Sequence, residues 1–199
     1  MRKDDVKNTI ISATIGIIEE SDGDIKNITA RKIADRSGVA LGLINYHFKS
    51  KENLISECCR LIISEMLLSL SPEHVDYSED DGLSDRERLI SYAIQTFDYI
   101  YMNPSIVRIS IMSDFNDYKS DGNSAFTQKG FMMALRGDIP ESRKKLIAFS
   151  LASTMQAAFL CDDNAGNITG YDLKSKRQRD SFIEDTVNML MADSERSIR

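Results

Sequence analysis

The sequence predicts an all-α protein: an N-terminal helix-turn-helix unit of three helices, followed by a longer helical domain. Three observations predict it. Only three prolines and ten glycines interrupt 199 residues, too few for the closely spaced turns of a strand architecture. Apolar residues recur at helical spacing through most of the chain. Residues 28–54 read as two short helices joined by a glycine turn, with a third helix opening on Ser50-Lys51.

Composition bounds the functional classes. A hydrophobic share of 42% and a charged share of 28% are ordinary for a soluble globular protein, and the length permits a sizeable core. The net charge of −6 argues against coating nucleic acid with the whole surface. It favours one localised contact face. No stretch approaches the ~20 apolar residues that span a bilayer. The charged start Met1-Arg2-Lys3-Asp4-Asp5 does not read as a secretory signal. The odd set Cys58, Cys59 and Cys161 then predicts reduced thiols in a cytoplasmic protein. Cys58 and Cys59, adjacent on a helix, face different directions and read as small buried hydrophobes.

The elements follow in order. Val6, Ile10, Ala13 and Ile17 give a first helix one apolar face over about 4–20. Asp4 and Asp5 suit its positive N-terminal end. Ser21-Asp22-Gly23-Asp24 is a turn. Thr29 is an N-cap for a second helix over 30–37, and Gly38 can take the left-handed conformation that ends it. A third helix covers 41–48. Ser50 caps a fourth, which runs to about Leu70. Residues 71–84 form an acidic linker. A helix over 85–102 carries Leu89, Ala93, Phe97 and Ile100 on one face, and Asn103-Pro104 breaks it. Helices follow over about 105–114, 124–135, 141–160 (with Pro140 in its first turn) and 176–191.

The window 28–54 carries the chemistry. Five cations (Arg31, Lys32, Arg36, Lys49, Lys51) stand against two anions (Asp35, Glu52), a net +3 within a chain of −6. A basic island on an acidic protein is the pattern of a duplex-binding module joined to something else. In such a motif the second helix of the pair lies in the major groove and the first braces it. Ile33, Ala34, Val39, Ile44 and Phe48 hold the helices together. Leu41, Gly42, Leu43, Asn45, Tyr46 and His47 remain for the outside. Asn45 can pair with an adenine edge, and Leu43 can touch a thymine methyl. Tyr46 and His47 offer donors to phosphate. Lys51 adds charge beside a helix N-terminus. Gly42 costs up to ~1 kcal/mol against alanine in a helix, a cost that makes sense where the backbone must approach DNA closely.

Leu43-Ile-Asn-Tyr-His-Phe-Lys-Ser-Lys-Glu-Asn-Leu54, preceded by Ile33-Ala-Asp-Arg-Ser-Gly-Val39, closely resembles the DNA-binding signature of TetR/AcrR-family transcriptional regulators. The resemblance covers about residues 6–56. It implies an all-helical homodimer with an N-terminal helix-turn-helix domain, 1–50, and a C-terminal ligand-binding and dimerisation domain, 51–199, whose residues 51–70 form a connecting helix. It implies a repressor released from a palindromic double-stranded DNA operator by a small molecule, with no cofactor and no catalysis. By position, Thr29 and Arg31 would meet the operator from the second helix. Leu41, Gly42, Leu43 and Asn45 would face bases, and Tyr46, His47 and Lys51 would grip phosphates. Asn45 departs from the pattern, since many members carry an aromatic there, so base preference is not carried over.

The C-terminal half offers weaker signals. Phe97, Tyr101, Met102, Met112, Phe115, Met132, Met133, Met155 and Phe159 form a candidate cavity lining for a largely apolar effector, against the alternative of ordinary helical core. The small residues Ala148, Ala152, Ser153, Ala157 and Ala158, together with Ile183, Val187 and Leu190, suggest two helices meeting their symmetry mates; internal packing is the alternative. No metal is expected. His47 and His74 have no Cys/His companions at zinc spacing, and the acidic residues Asp76, Glu79, Asp80 and Asp81 read as a solvated linker. Asp117–Gly122 resembles a calcium loop but has Lys119 at its third position and Gln128 at its twelfth. Two other functions stay open: a DNA-binding organiser or division-control protein without an effector, and an enzyme using a C-terminal cavity.

Overall fold

The computed structural model describes residues 3–21, 23–69 and 82–192. Its helices are α1 (Lys3–Glu19), α2 (Ala30–Ser37), α3 (Leu41–Phe48), α4 (Lys51–Ser69), α5 (Asp85–Met102), α6 (Pro104–Asn116), α7 (Asn123–Ala134), α8 (Glu141–Leu160), α9 (Ala165–Thr169) and α10 (Lys176–Met191). No strand occurs among the described residues. The acidic stretch 70–81, with His74 and its carboxylates, lies outside them.

Local chemistry sets the helix ends. Thr29 Oγ1 accepts the Lys32 N–H at 3.2 Å, and Ser50 Oγ accepts the Asn53 N–H at 3.1 Å. Gly38 closes α2 at φ 66°, a conformation costly for any side chain. Pro104 opens α6 at its first turn. Pro140 stands one place earlier than expected, as the N-cap of α8, where its carbonyl accepts from Arg143 and Lys144. Ser84 and Glu87 form a reciprocal capping box on α5, at 2.8 Å and 3.3 Å. Ile25–Asn27 and Asp162–Asn164 are single 3₁₀ turns. They and α9 are too short for a helical period to reveal.

The chain divides into two compact units: Met1–Leu68 with Asn103–Lys119, and Ser69–Met102 with Ser120–Arg199. This division differs from the expected boundary at 50/51. Leu54, Ile55, Cys58 and Cys59 of α4 are buried in the first unit beside Ile10, Ile18, Ile33, Ile44 and Phe48. Cys58 Sγ approaches the Ile11 carbonyl and Cys59 Sγ the Ile106 carbonyl, both at 3.8 Å, so α4 and α6 close that core. The second unit packs α5, α7, α8 and α10 around Leu89, Phe97, Phe131, Leu151, Met155, Ile183 and Val187. There Asp85 accepts the Arg136 and Gly137 N–H groups at 3.0 Å and 2.8 Å and pairs with Arg88, tying the start of α5 to the turn before α8.

Candidate nucleic-acid interface

In α3 the two helical faces separate cleanly. Ile44 and Phe48 are buried, with α3 packed on α2, while Leu41, Gly42, Asn45 and Tyr46 are exposed, Tyr46 by 66%. Leu43 and His47 are half-buried at the edges of that face. The His47 ring packs edge-on to Tyr46 at 5.1 Å and tilted to Phe48 at 6.1 Å, which restricts its reach. Behind α3, Lys7 Nζ sits 5.6 Å from the centre of the Phe48 ring and pairs with Glu57 at 2.8 Å. Those two contacts brace α3 between α1 and α4.

The expected contact residues of α2 and α4 border this face. Thr29 and Arg31 are exposed. The Thr29 hydroxyl already accepts one hydrogen bond as the cap of α2, leaving one lone pair and its proton for a partner. Lys51 is half-buried, with Nζ 3.7 Å from Glu52. Two other cations are turned to structural use. Lys32 Nζ donates to the Asn27 carbonyl at 3.0 Å, and Arg36 pairs with Glu20 at 2.7 Å. Arg31 and Lys49 have no ion-pair or side-chain hydrogen-bond partner among the described residues. Sequence reasoning counted Lys49 as charge and gave it no role.

Gly42 is the informative small residue. A Cβ added there would meet nothing within 4 Å. The packing of this chain therefore does not demand glycine at 42, although helix propensity disfavours it. An outside partner that approaches the backbone closely would demand it.

An open cleft of about 500 Å³ lies behind α2, lined by Ile17, Glu20, Ser21, Asn27, Lys32, Asp35 and Arg36. Of its charges Arg36 and Glu20 pair with each other, and it shares no residue with the expected effector lining.

The residues of both C-terminal expectations divide between core and surface. Phe97, Tyr101 and Phe159 do meet: ring centres are 5.2 Å apart from Phe97 to Tyr101 and 5.7 Å from Tyr101 to Phe159. Phe97, Phe159 and Met155 are buried. The Tyr101 hydroxyl donates to Asp162 at 2.8 Å, and the Arg179 guanidinium lies 4.5 Å from its ring centre. Burial, then the bond to Asp162, holds this phenol above its ordinary pKa. Met132 is half-buried. Met102 and Met133 are exposed, at 80% and 62%, because they fall on the outer sides of α5 and α7. Met112 and Phe115 are also exposed and belong to the first unit.

Most of the residues expected in the dimer stripe contribute to the protomer's own packing. Ala148, Ala152, Ala158, Ile183 and Val187 are buried inside the protomer, where small residues on α8 let neighbouring helices approach. Ser153 and Leu190 are half-buried, and only Ala157 of that set is exposed. The outward face of α8 carries Leu146, Phe149, Ser153 and Ala157, at helical spacing. Its signal in the sequence was a second apolar stripe on a helix that one stripe already explained.

Comparison with known proteins follows the same division. Residues 10–58 match the family model for "Bacterial regulatory proteins, tetR family". No match was found among curated proteins. Among solved structures, a TetR transcriptional regulator from Rhodococcus sp. RHA1 aligns with a TM-score of 0.66 at 14% identity, over 96% of each chain. A putative transcriptional regulator from Pseudomonas aeruginosa PAO1 aligns at 0.64 and 20% identity, over 100% of this chain and 96% of that one. The regulator FadR from Bacillus subtilis, solved with stearoyl-CoA, aligns at 0.58 and 15% identity, over 92% and 96%. The helix-turn-helix domain of this chain thus belongs to the tetR family of bacterial regulatory proteins, and the whole chain has the fold of solved TetR-like transcriptional regulators.

Proposed function

We propose that the protein is a non-enzymatic, ligand-responsive transcriptional repressor of the bacterial cytoplasm, released from a palindromic operator by a small molecule. The observation that carries the DNA half of this reading is the outward face of α3. Leu41, Gly42, Asn45 and Tyr46 make no contribution to the core, and Gly42 is a residue the fold does not require. In the bound state α3 lies in the major groove. Leu41, Gly42, Leu43 and Asn45 face base edges there. Tyr46, His47 and Lys51 hold phosphates, and Thr29 and Arg31 meet the duplex from α2. Replacing Lys51 with alanine then weakens binding to every sequence and flattens its salt dependence by about 0.9 for each lysine lost. An unchanged slope would contradict the phosphate assignment.

The input half rests on the second unit, the proposed effector and dimerisation domain. Its aromatic cluster around Tyr101 suits a largely apolar ligand, and a protein of the same fold holds stearoyl-CoA. Two copies would associate through the outward face of α8, with Leu146 and Phe149 as the apolar anchors. Half-sites then lie about one helical turn, or a small multiple, apart. Sedimentation at micromolar concentration tests this directly: a dimer is expected, and a monomer would overturn the interface and the palindrome together.

A further inference from the structure

We propose that Lys49 is a DNA phosphate contact, aimed at the duplex by the strained turn that ends α3. The inference rests on the DNA-binding reading above and adds a residue to it. Lys49 lies at φ 68°, ψ −42°, the one non-glycine residue with positive φ among those described. A side chain there crowds the neighbouring backbone, and glycine would relieve it. Seven residues earlier the opposite choice is made. Gly42 stands in ordinary helix with open space where a Cβ would be.

Folding alone would exchange the two. A glycine at 49 would remove strain, and an alanine at 42 would strengthen the helix. An outside partner accounts for both choices if it needs a cation at 49 and no side chain at 42. Positions 42, 45 and 46 lie on one side of α3, since residues three and four apart share a helix face, and Lys49 is the first residue beyond the C-terminal end of that helix. Seven residues rise about 10.5 Å, close to the ~12 Å width of the major groove. A backbone approach at one end therefore leaves the other end at the groove wall. Lys49 is exposed, and no carboxylate neutralises it among the described residues. Its strain is of the kind that persists where function over-determines the backbone. The partner that satisfies both positions is a duplex groove, with base edges close to the backbone at 42 and a phosphodiester at 49.

The test compares wild type with Lys49→Ala, Lys49→Gly, Gly42→Ala and Lys51→Ala. Each is titrated with a mixed-sequence duplex across a salt series, and each is melted. The wild type is expected to bind with a steep salt slope. Lys49→Ala and Lys49→Gly should both lose affinity, by up to about tenfold, and flatten the slope by about 0.9 per protomer bound. Lys49→Gly should melt roughly 2–4 °C above Lys49→Ala, because the two differ only in the strained side chain. Gly42→Ala should melt higher than wild type and bind more weakly. An unchanged slope in Lys49→Ala, with a flattened one in Lys51→Ala, would overturn the assignment and leave the DNA-binding reading standing. A wild type that does not bind the duplex even at low salt would overturn both.

Discussion

The helix-turn-helix and the C-terminal unit use similar residues to opposite ends. In α3, apolar and aromatic side chains are divided between the core and open solvent: Ile44 and Phe48 go in, Leu41 and Tyr46 stay out. In α8 and α10, the small and branched residues that resemble an interface turn inward and are consumed by the protomer's own packing. A residue is legible as functional when the fold leaves it over. Gly42 and Tyr46 are outside the core. Ala148, Ala152, Ile183 and Val187 are not.

The largest effect expected from this contrast separates the two faces of α8. Ala152→Glu places an unpaired charge in the core, a cost of several kcal/mol that unfolds a marginal protein. Phe149→Glu, one turn away on the outer face, should leave each protomer folded, with a far-ultraviolet spectrum like wild type, and shift sedimentation from dimer to monomer. If Ala152→Glu folded normally, the inward assignment of α8 would fail.

Next in size is the comparison of Phe97→Ala with Tyr46→Ala. Phe97 is 1% exposed, and its truncation should cost roughly 3–5 kcal/mol. Each kcal/mol lowers Tm by about 2–4 °C in a chain of this size. Tyr46→Ala should change stability by no more than ~0.5 kcal/mol while weakening DNA binding. A core-sized loss of Tm in Tyr46→Ala would show that α3 has no free face.

The smallest effect at neutral pH is that of the buried thiols, which act on the alkaline limb of stability. Burial pushes the Cys58 and Cys59 thiols up to about 12. In the unfolded chain they ionise near 8.5. The folded state therefore holds protons that the unfolded state releases, so stability falls as pH rises above about 8.5 and the loss is complete near 12. Cys58→Ala should flatten that decline relative to wild type in urea melts at pH 8 and 10. Neither thiol should react with a thiol reagent in the native protein at neutral pH, because only the thiolate attacks.

Much of the fold was readable because long helices announce themselves. α2, α3, α5, α8 and α10 fall on the residues that apolar spacing and caps predict. The 3₁₀ turns and α9 were not readable, since three to five residues hold no period. The capping box at Ser84 and Glu87 was written in the sequence as Ser-Asp-Arg-Glu and stood hidden inside an expected linker. The outward set of α3 was legible from residue order: after Ile44 and Phe48 were assigned to packing, few outward positions remained. Which methionines and alanines of the C-terminal half turn inward was not legible. Methionines and alanines at helical spacing satisfy a core as well as a cavity or an interface, so period alone does not distinguish them. Met102 and Met133 against Met155 show that the same residue type takes both fates. Strain was equally invisible, because a lysine in sequence carries no mark of its φ.

The most direct measurement of the central claim is selection of binding sites from a randomised duplex library, run with wild type and with Asn45→Ala. The account predicts that wild type enriches a two-fold symmetric sequence with half-sites about one helical turn, or a small multiple, apart. It also predicts that Asn45→Ala changes the preferred base at a symmetric pair of positions while the spacing holds. Enrichment of the same sequence by both proteins would contradict the base-facing role of α3, and no enrichment by wild type would contradict sequence-specific DNA binding itself.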